Sequence, residues 1–265
     1  MQEPGDRPFL SIVIPAYNET TNIQAGSLDK VARYMSDQSY PYEVVVVDDG
    51  SQDDTARRVE AFAQQHTHFR VIRAPHGGKA HALATGMLDA KGEIVLFCDM
   101  DQATPIGEAS KLLPWFDKEY DIVIASRGTV RRNAPWWRTL MSRSQILLRN
   151  LILGSLQITD TQTGFKAFRR ETIEPLLDHL RVYKPGIQFS GATVTSGFDV
   201  EMLFVARKLG YCIREVPVTW SYQESKRVHF VRDAVRGVSD LLHVRWADLR
   251  GAYPQKHITG TVDDM

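Results

Sequence analysis

Cysteine is nearly missing from this sequence: Cys98 and Cys212 are the only two, far apart and each in an apolar, strand-like context. That argues against a disulfide framework or a thiolate metal centre, and predicts two buried thiols in a reducing compartment. A surplus of one charge is missing too, since 32 Lys and Arg balance 32 Asp and Glu; no overall field selects for nucleic acid, and none is expected as a partner. Met1–Asp6 lacks the basic region and apolar stretch of a signal peptide, so a cytoplasmic location is expected. Long hydrophobic runs are absent as well. The best neighbourhood, 146–158, is interrupted by Arg149, Asn150 and Gln157 and falls short of the roughly 20 residues that a membrane span requires. Any membrane contact is therefore expected to be peripheral, on the cytoplasmic face. Low-complexity tracts and internal repeats are not visible either, and with 43% hydrophobic and 24% charged residues the chain can bury a full core.

What is present is an alternation of short apolar runs with helical patterns. Residues 9–14, 44–47, 69–72, 94–98 and 122–125 read as buried strands, and 22–35, 55–65, 79–90 and 106–116 as helices, with Asp53 or Asp54 as a cap for the second helix. Such alternation predicts an α/β fold with a mostly parallel central sheet and helices on both faces. Residues 1–250 form one domain in this reading, with a nucleotide-binding half over about 9–100 and an acceptor half over about 101–226. The second half carries a short strand at 166–168, a helix at 198–208, a returning strand at 211–220 and an amphipathic terminal helix within 228–250; residues 251–265 read as a loose tail.

The strongest chemical signal is Asp99-Met100-Asp101, directly after the apolar run 94–98. An open α/β sheet binds its ligand at the carboxyl ends of its strands. Two carboxylates at this spacing can share a Mg²⁺ or Mn²⁺ whose other positions go to diphosphate oxygens; a solvated turn is the alternative. Asp48 and Asp49 end the second strand in the same way. An ionised acid there can accept a nucleobase N–H, while the other acid closes the Asp-Gly-Ser turn; Asp48 is the choice for the base. Pro15-Ala16-Tyr17-Asn18-Glu19 is a Pro-fixed turn that brings backbone and side chains to the same crevice. His76-Gly77-Gly78-Lys79 opens a helix, where amide groups and a lysine could receive an anion, or it is a plain connecting loop.

No acid lies between Asp121 and Asp160, yet Arg127, Arg131, Arg132, Arg138, Arg143 and Arg149 do, with Trp136 and Trp137 among them. Arginine forks bind phosphate and tryptophan suits a lipid interface; a solvated basic helix is the alternative. The turn Asp160–Lys166 precedes a strand without its role being fixed by spacing. In Phe198-Asp199-Val200-Glu201, Asp199 either faces the cleft, pairs with an arginine or serves as an N-terminal helix acid.

Together these segments resemble family 2 glycosyltransferases of the GT-A fold, in particular the dolichyl-phosphate β-glucosyltransferase and polyprenyl-phosphate sugar transferase group. The residues that carry the resemblance are Ile14–Glu19, Val47–Ser51, Gly78-Lys79, Asp99–Thr104, Ser126-Arg127, Asp160–Lys166 and Phe198–Glu201. The resemblance implies inverting, metal-dependent transfer of a hexose from a nucleotide sugar to a polyprenyl phosphate, with UDP-glucose favoured over GDP-mannose. It implies Asp48 at the base, Pro15, Ala16, Tyr17, Glu19 and Lys79 around the donor, Asp99 and Asp101 at metal and diphosphate, and Arg127 and Arg143 at the acceptor phosphate. For a hydroxyl acceptor, Asp160 is the expected base. The alternatives are a soluble or lipid hydroxyl acceptor, or a non-catalytic protein that binds nucleotide sugar or lipid phosphate. Gln-x-x-Arg-Trp, the element of processive polysaccharide synthases, is absent, and Thr163 stands where the eukaryotic glucosyltransferases usually have cysteine. With neither an N-terminal anchor nor C-terminal spans expected, attachment falls to the arginine and tryptophan segment, the terminal helix or a membrane partner.

Overall fold

The computed structural model describes residues 7–127, 147–154, 158–183, 196–221 and 230–254. Seven strands form one sheet: β1 (Leu10–Ala16), β2 (Tyr42–Asp48), β3 (Phe69–Arg73), β4 (Ile94–Cys98), β5 (Ile122–Ser126), β6 (Phe165–Arg169) and β7 (Ile213–Pro217). Their order is β3-β2-β1-β4-β6-β5-β7. All neighbours are parallel except β6, which runs antiparallel to both β4 and β5.

Successive side chains of a strand point to opposite faces, and the runs that are apolar throughout serve both. Ile12, Ile14, Val44 and Val46 pack on one side with Leu28, Val31 and Met35 of helix Ser27–Ser36. Val13, Val45 and Val47 pack on the other with Leu83 and Met87 of helix Lys79–Asp89 and with Met202 and Leu203 of helix Ser196–Lys208. Cores on both faces are what a mostly parallel sheet requires.

Several boundaries differ from the sequence reading. The helix expected over 22–35 is two, Thr20–Gln24 and Ser27–Ser36, because Gly26 adopts φ +78° between them. The helix expected over 106–116 is a 3₁₀ turn Ile106–Glu108, one α-turn Ala109–Leu112 and a second 3₁₀ stretch Leu113–Lys118. Pro114, which has no N–H to continue the ladder, accounts for the second change. The returning strand is Ile213–Pro217 rather than 211–220. Cys212 precedes it and is exposed, so only Cys98 is a buried thiol, pushed up to about 12 by burial. Of the tail expected to be loose over 251–265, the described part holds Tyr253, which is buried and donates its hydroxyl to Glu201 at 2.6 Å, and 255–265 lie outside the described residues.

Candidate active site

The strand order turns around between β1 and β4, the place where open α/β sheets form their ligand crevice. The loops that leave β1, β2 and β4 all meet there. After β1, Asn18 adopts φ +53° and its side-chain oxygen accepts the amides of Gln52 and Asp53 at 2.8 and 3.3 Å. Its own amide donates to Ser51 Oγ at 3.0 Å, and that of Glu19 donates to Thr55 Oγ1 at 2.7 Å. The Pro15–Glu19 turn is thus laced to the Asp48–Thr55 loop. Asp53 rather than Asp54 receives the amide of Thr55, at 3.0 Å, while Asp54 pairs with Arg57.

The two acids that end β2 divide their work. Asp49 is buried and accepts the amides of Gly77 and Gly78 at 2.8 and 2.9 Å. His76 Nδ1 lies 2.8 Å from the same carboxylate and 3.0 Å from the Asp49 carbonyl, two groups that only accept, which assigns the proton to Nδ1. The His76 ring stacks on Tyr17 with centroids 4.4 Å apart. Amides expected to receive an external anion at Gly77-Gly78 are therefore already used by Asp49. Asp48, 4% exposed, receives only a 3.4 Å contact from the Ser51 amide, and its Oδ1 is buried without a partner. An orphaned carboxylate oxygen of this kind costs about 1–3 kcal/mol or more unless something donates to it.

Beyond β4, Asp99 donates its amide to the Gly164 carbonyl at 3.2 Å, and its carbonyl accepts Gln102 Nε2 at 3.1 Å. A Cβ at position 164 would lie 1.9 Å from Asp99 Oδ2, so glycine there makes room for the carboxylate. Asp101 Oδ1 accepts the Ala103 amide at 3.0 Å. Burial raises the Asp101 pKa and the charge of Asp99 raises it further, against that amide. Lys79 contacts Asp99 Oδ1. Burial pulls the lysine down, but the carboxylates of Asp99, Asp199 and Asp101 outweigh it and hold its pKa above the ordinary value.

Arg127 and Asp160 form a fork: Nε to Oδ2 at 2.7 Å and Nη2 to Oδ1 at 2.8 Å, with the Arg127 amide on Oδ2 at 3.0 Å. Thr163 Oγ1 and the Gln162 amide add donors at 2.7 and 3.2 Å. Burial would raise the Asp160 pKa; Arg127 and Thr163 overcome it and hold the carboxyl far below the usual range. Such a group is a weak base, and its geometry shows Asp160 holding Arg127 in place. The expectation for Arg149 is corrected. It is buried, bonds Thr161 Oγ1 and the Ile158 carbonyl, and so braces the Asp160 turn instead of facing outward. Asp199 pairs with the fully buried Lys166 at 2.7 Å, a lysine where an arginine was considered. Arg143, Trp136 and Trp137 lie outside the described residues.

The sequence reading gave Gln102 and Gly164 no role of their own within the segments that carry the resemblance, and did not single out Glu215. Glu215 on β7 accepts the amides of Thr159 and Asp160 at 2.8 and 2.9 Å. Only Gly164 carried a signal, as the one glycine in the polar turn before β6.

The family model for glycosyl transferase family 2 matches residues 11–177. The human dolichyl-phosphate beta-glucosyltransferase is 31% identical over 265 residues, covering 92% of this chain and 77% of its own. Among solved structures, glucosyl-3-phosphoglycerate synthase from Mycobacterium tuberculosis, in complex with uridine diphosphate, aligns with a TM-score of 0.61 at 21% identity, over 90% of this chain and 80% of that one. A mannosyltransferase from Pyrobaculum calidifontis, in complex with GDP-Man and Mn²⁺, aligns at 0.56 and 24% identity, over 94% and 76%. The fold is the GT-A fold of these neighbours, and the chain belongs to glycosyl transferase family 2.

Proposed function

We infer that the chain transfers glucose from UDP-glucose, with inversion, to the phosphate of a polyprenyl or dolichyl phosphate, using Mg²⁺ or Mn²⁺. The observation that carries this reading is the Asp99–Asp101 pair at the end of β4, with the unpartnered oxygen of Asp48 at the end of β2 across the intervening β1. Among the described residues no group of three His, Cys, Asp or Glu offers a closed metal cage. Two hard carboxylates fit instead an ion that draws its remaining ligands from donor phosphates, and when bound it would neutralise charge that develops on the leaving diphosphate. Asp48 Oδ1 takes a base N–H, and the Tyr17–His76 stack walls that side of the crevice. An acceptor phosphate oxygen attacks the anomeric carbon from the opposite face as the bond to the diphosphate breaks. That oxygen is ionised near neutral pH, so no general base is needed, in keeping with the saturated carboxylate of Asp160. Arg127, held by Asp160, lies with its guanidinium carbon 5.5 Å from the Trp220 ring centroid and lines the acceptor side; Arg143 is assigned there from the resemblance.

A lipid acceptor also accords with the surface. Among the described residues no helix is long and apolar enough to cross a membrane. Leu242, Trp246 and Leu249 share one face of the helix Phe230–Leu249, and Leu147 and Leu151 one face of helical residues 147–153, each more than half exposed. Asp240 bonds the Tyr183 hydroxyl, and Asp248 is buried against Lys208 and Arg245. Arg250 packs over Trp246 at 3.3 Å. An outward apolar face with arginine beside tryptophan suits the lipid–water interface. The test is a panel of UDP- and GDP-sugars with polyprenyl phosphate and either metal, following label into the organic phase. Metal-dependent transfer from UDP-glucose that is lost in Asp101→Ala is expected. Equal transfer by that variant would refute the assignment.

A further inference from the structure

Lys79 stands at the head of the helix Lys79–Asp89 with its ammonium on Asp99 Oδ1, and both side chains are about a third exposed. Among the described residues, the following cations and donors of this region are committed elsewhere. Arg127 is forked to Asp160, Lys166 is bonded to Asp199 and the Thr163 carbonyl, and the amides of Gly77 and Gly78 are taken by Asp49. Asp99 is also confined on its other side, where its Oδ2 fills the space a Cβ at Gly164 would need. The carboxylate therefore cannot turn from the lysine by rotating toward β6, whereas the lysine can leave on its flexible four-carbon stem.

We propose that Lys79 is an exchangeable counter-ion, which occupies the divalent cation's place on Asp99 in the ligand-free protein and moves to the donor diphosphate when donor and cation enter together. This rests on the donor-site reading above. A cation arriving alone must displace the ammonium from Asp99 and then sit beside a like charge that Asp199 and Asp101 still hold nearby. A nucleoside diphosphate arriving alone meets Asp99 and Asp101 without the ion that would screen them. Together each removes the other's obstacle, so the two bind cooperatively, and by linkage the enhancement is mutual.

The experiment is Mn²⁺ binding, read from the electron paramagnetic resonance signal of the free ion, for wild type and Lys79→Met with and without UDP. Without UDP the variant is expected to bind Mn²⁺ about tenfold more tightly than wild type, within the usual range of such couplings. UDP should then raise the Mn²⁺ affinity of the variant by a smaller factor than that of wild type. Lys79→Arg keeps the charge and should retain wild-type weakness toward Mn²⁺ alone; melting curves check that each variant is folded, with Lys79→Gln in place of a Met variant that is not. Unchanged Mn²⁺ affinity on removal of the charge, or an undiminished UDP effect, overturns the proposal while the donor site stands. Failure of the wild type to bind Mn²⁺ even with UDP overturns both.

Discussion

Asp160 is the residue whose surroundings most change its expected chemistry. Its folded pKa is depressed by Arg127 and Thr163, so its pair contributes stability in full above the unfolded value of about 4 and loses it as pH falls below that, toward the folded pKa. Acid titration of the melting temperature should reveal this slope below about pH 4, and Asp160→Asn should flatten it. The same variant leaves the part-buried Arg127 without its counter-charge and should lose about 2 kcal/mol at pH 7 in denaturant unfolding, below the cost of breaking a fully buried pair; a loss under about 0.5 kcal/mol would remove the holding role. Gly164→Ala makes a different prediction. The added methyl needs the space of Asp99 Oδ2, and a displacement near 1 Å at a reacting site costs about 100-fold. Transfer activity should fall by that order while the melting temperature stays within a few degrees; full activity would mean that Asp99 has freedom the packing denies it. At this scale the sequence was legible where a residue's chemistry suits one task. The carboxylates after β4 and the two acids after β2 were visible from type and position alone. That Asp49 would take both glycine amides, or that Arg149 would be buried, depends on partners 28 and 29 or 12 residues away, which no local pattern encodes.

Among the elements, strands were more legible than helices. Five apolar runs became β1 to β5 within two residues at each end, since a strand buried on both faces is apolar throughout. The direction of β6 was not legible, because a short apolar run looks the same read up or down a sheet. Nor was the helix break at Gly26, which requires a positive φ that the flanking helical spacing conceals. Helix Ser196–Lys208 holds the least expected device. Glu201, fully buried, accepts the amides of Arg181, Val182 and Tyr183 at 2.7, 2.9 and 2.8 Å together with the Tyr253 hydroxyl. One side chain thereby ties the loop after helix Arg170–Asp178 to the segment beyond the terminal helix. Glu201→Ala would leave the buried Tyr183 amide and the buried Tyr253 hydroxyl unsatisfied, at about 1–3 kcal/mol each, and would release the part-buried amides of Arg181 and Val182 to water. A loss of at least about 2 kcal/mol is expected in chemical denaturation, with Tyr253 becoming accessible to nitration; a near-neutral effect would show that water replaces the carboxylate.

The whole molecule sets a crevice, the proposed donor site, at the turning point of its sheet and exposes apolar faces on helices of its second half. If those faces meet a bilayer, Leu242→Ser combined with Trp246→Ser should abolish most co-sedimentation with phosphatidylcholine–phosphatidylglycerol vesicles and leave donor binding intact. Undiminished sedimentation would assign the attachment elsewhere. The acceptor is the central claim, and one comparison tests it most directly: label from UDP-glucose is followed into the organic phase with polyprenyl phosphate and, separately, with the matching polyprenol. Transfer confined to the phosphate-ended lipid is predicted, because the proposed acceptor side holds Arg127 and, among the described residues there, Asp160 is already saturated with donors. Equal or preferred transfer to the polyprenol would contradict the account.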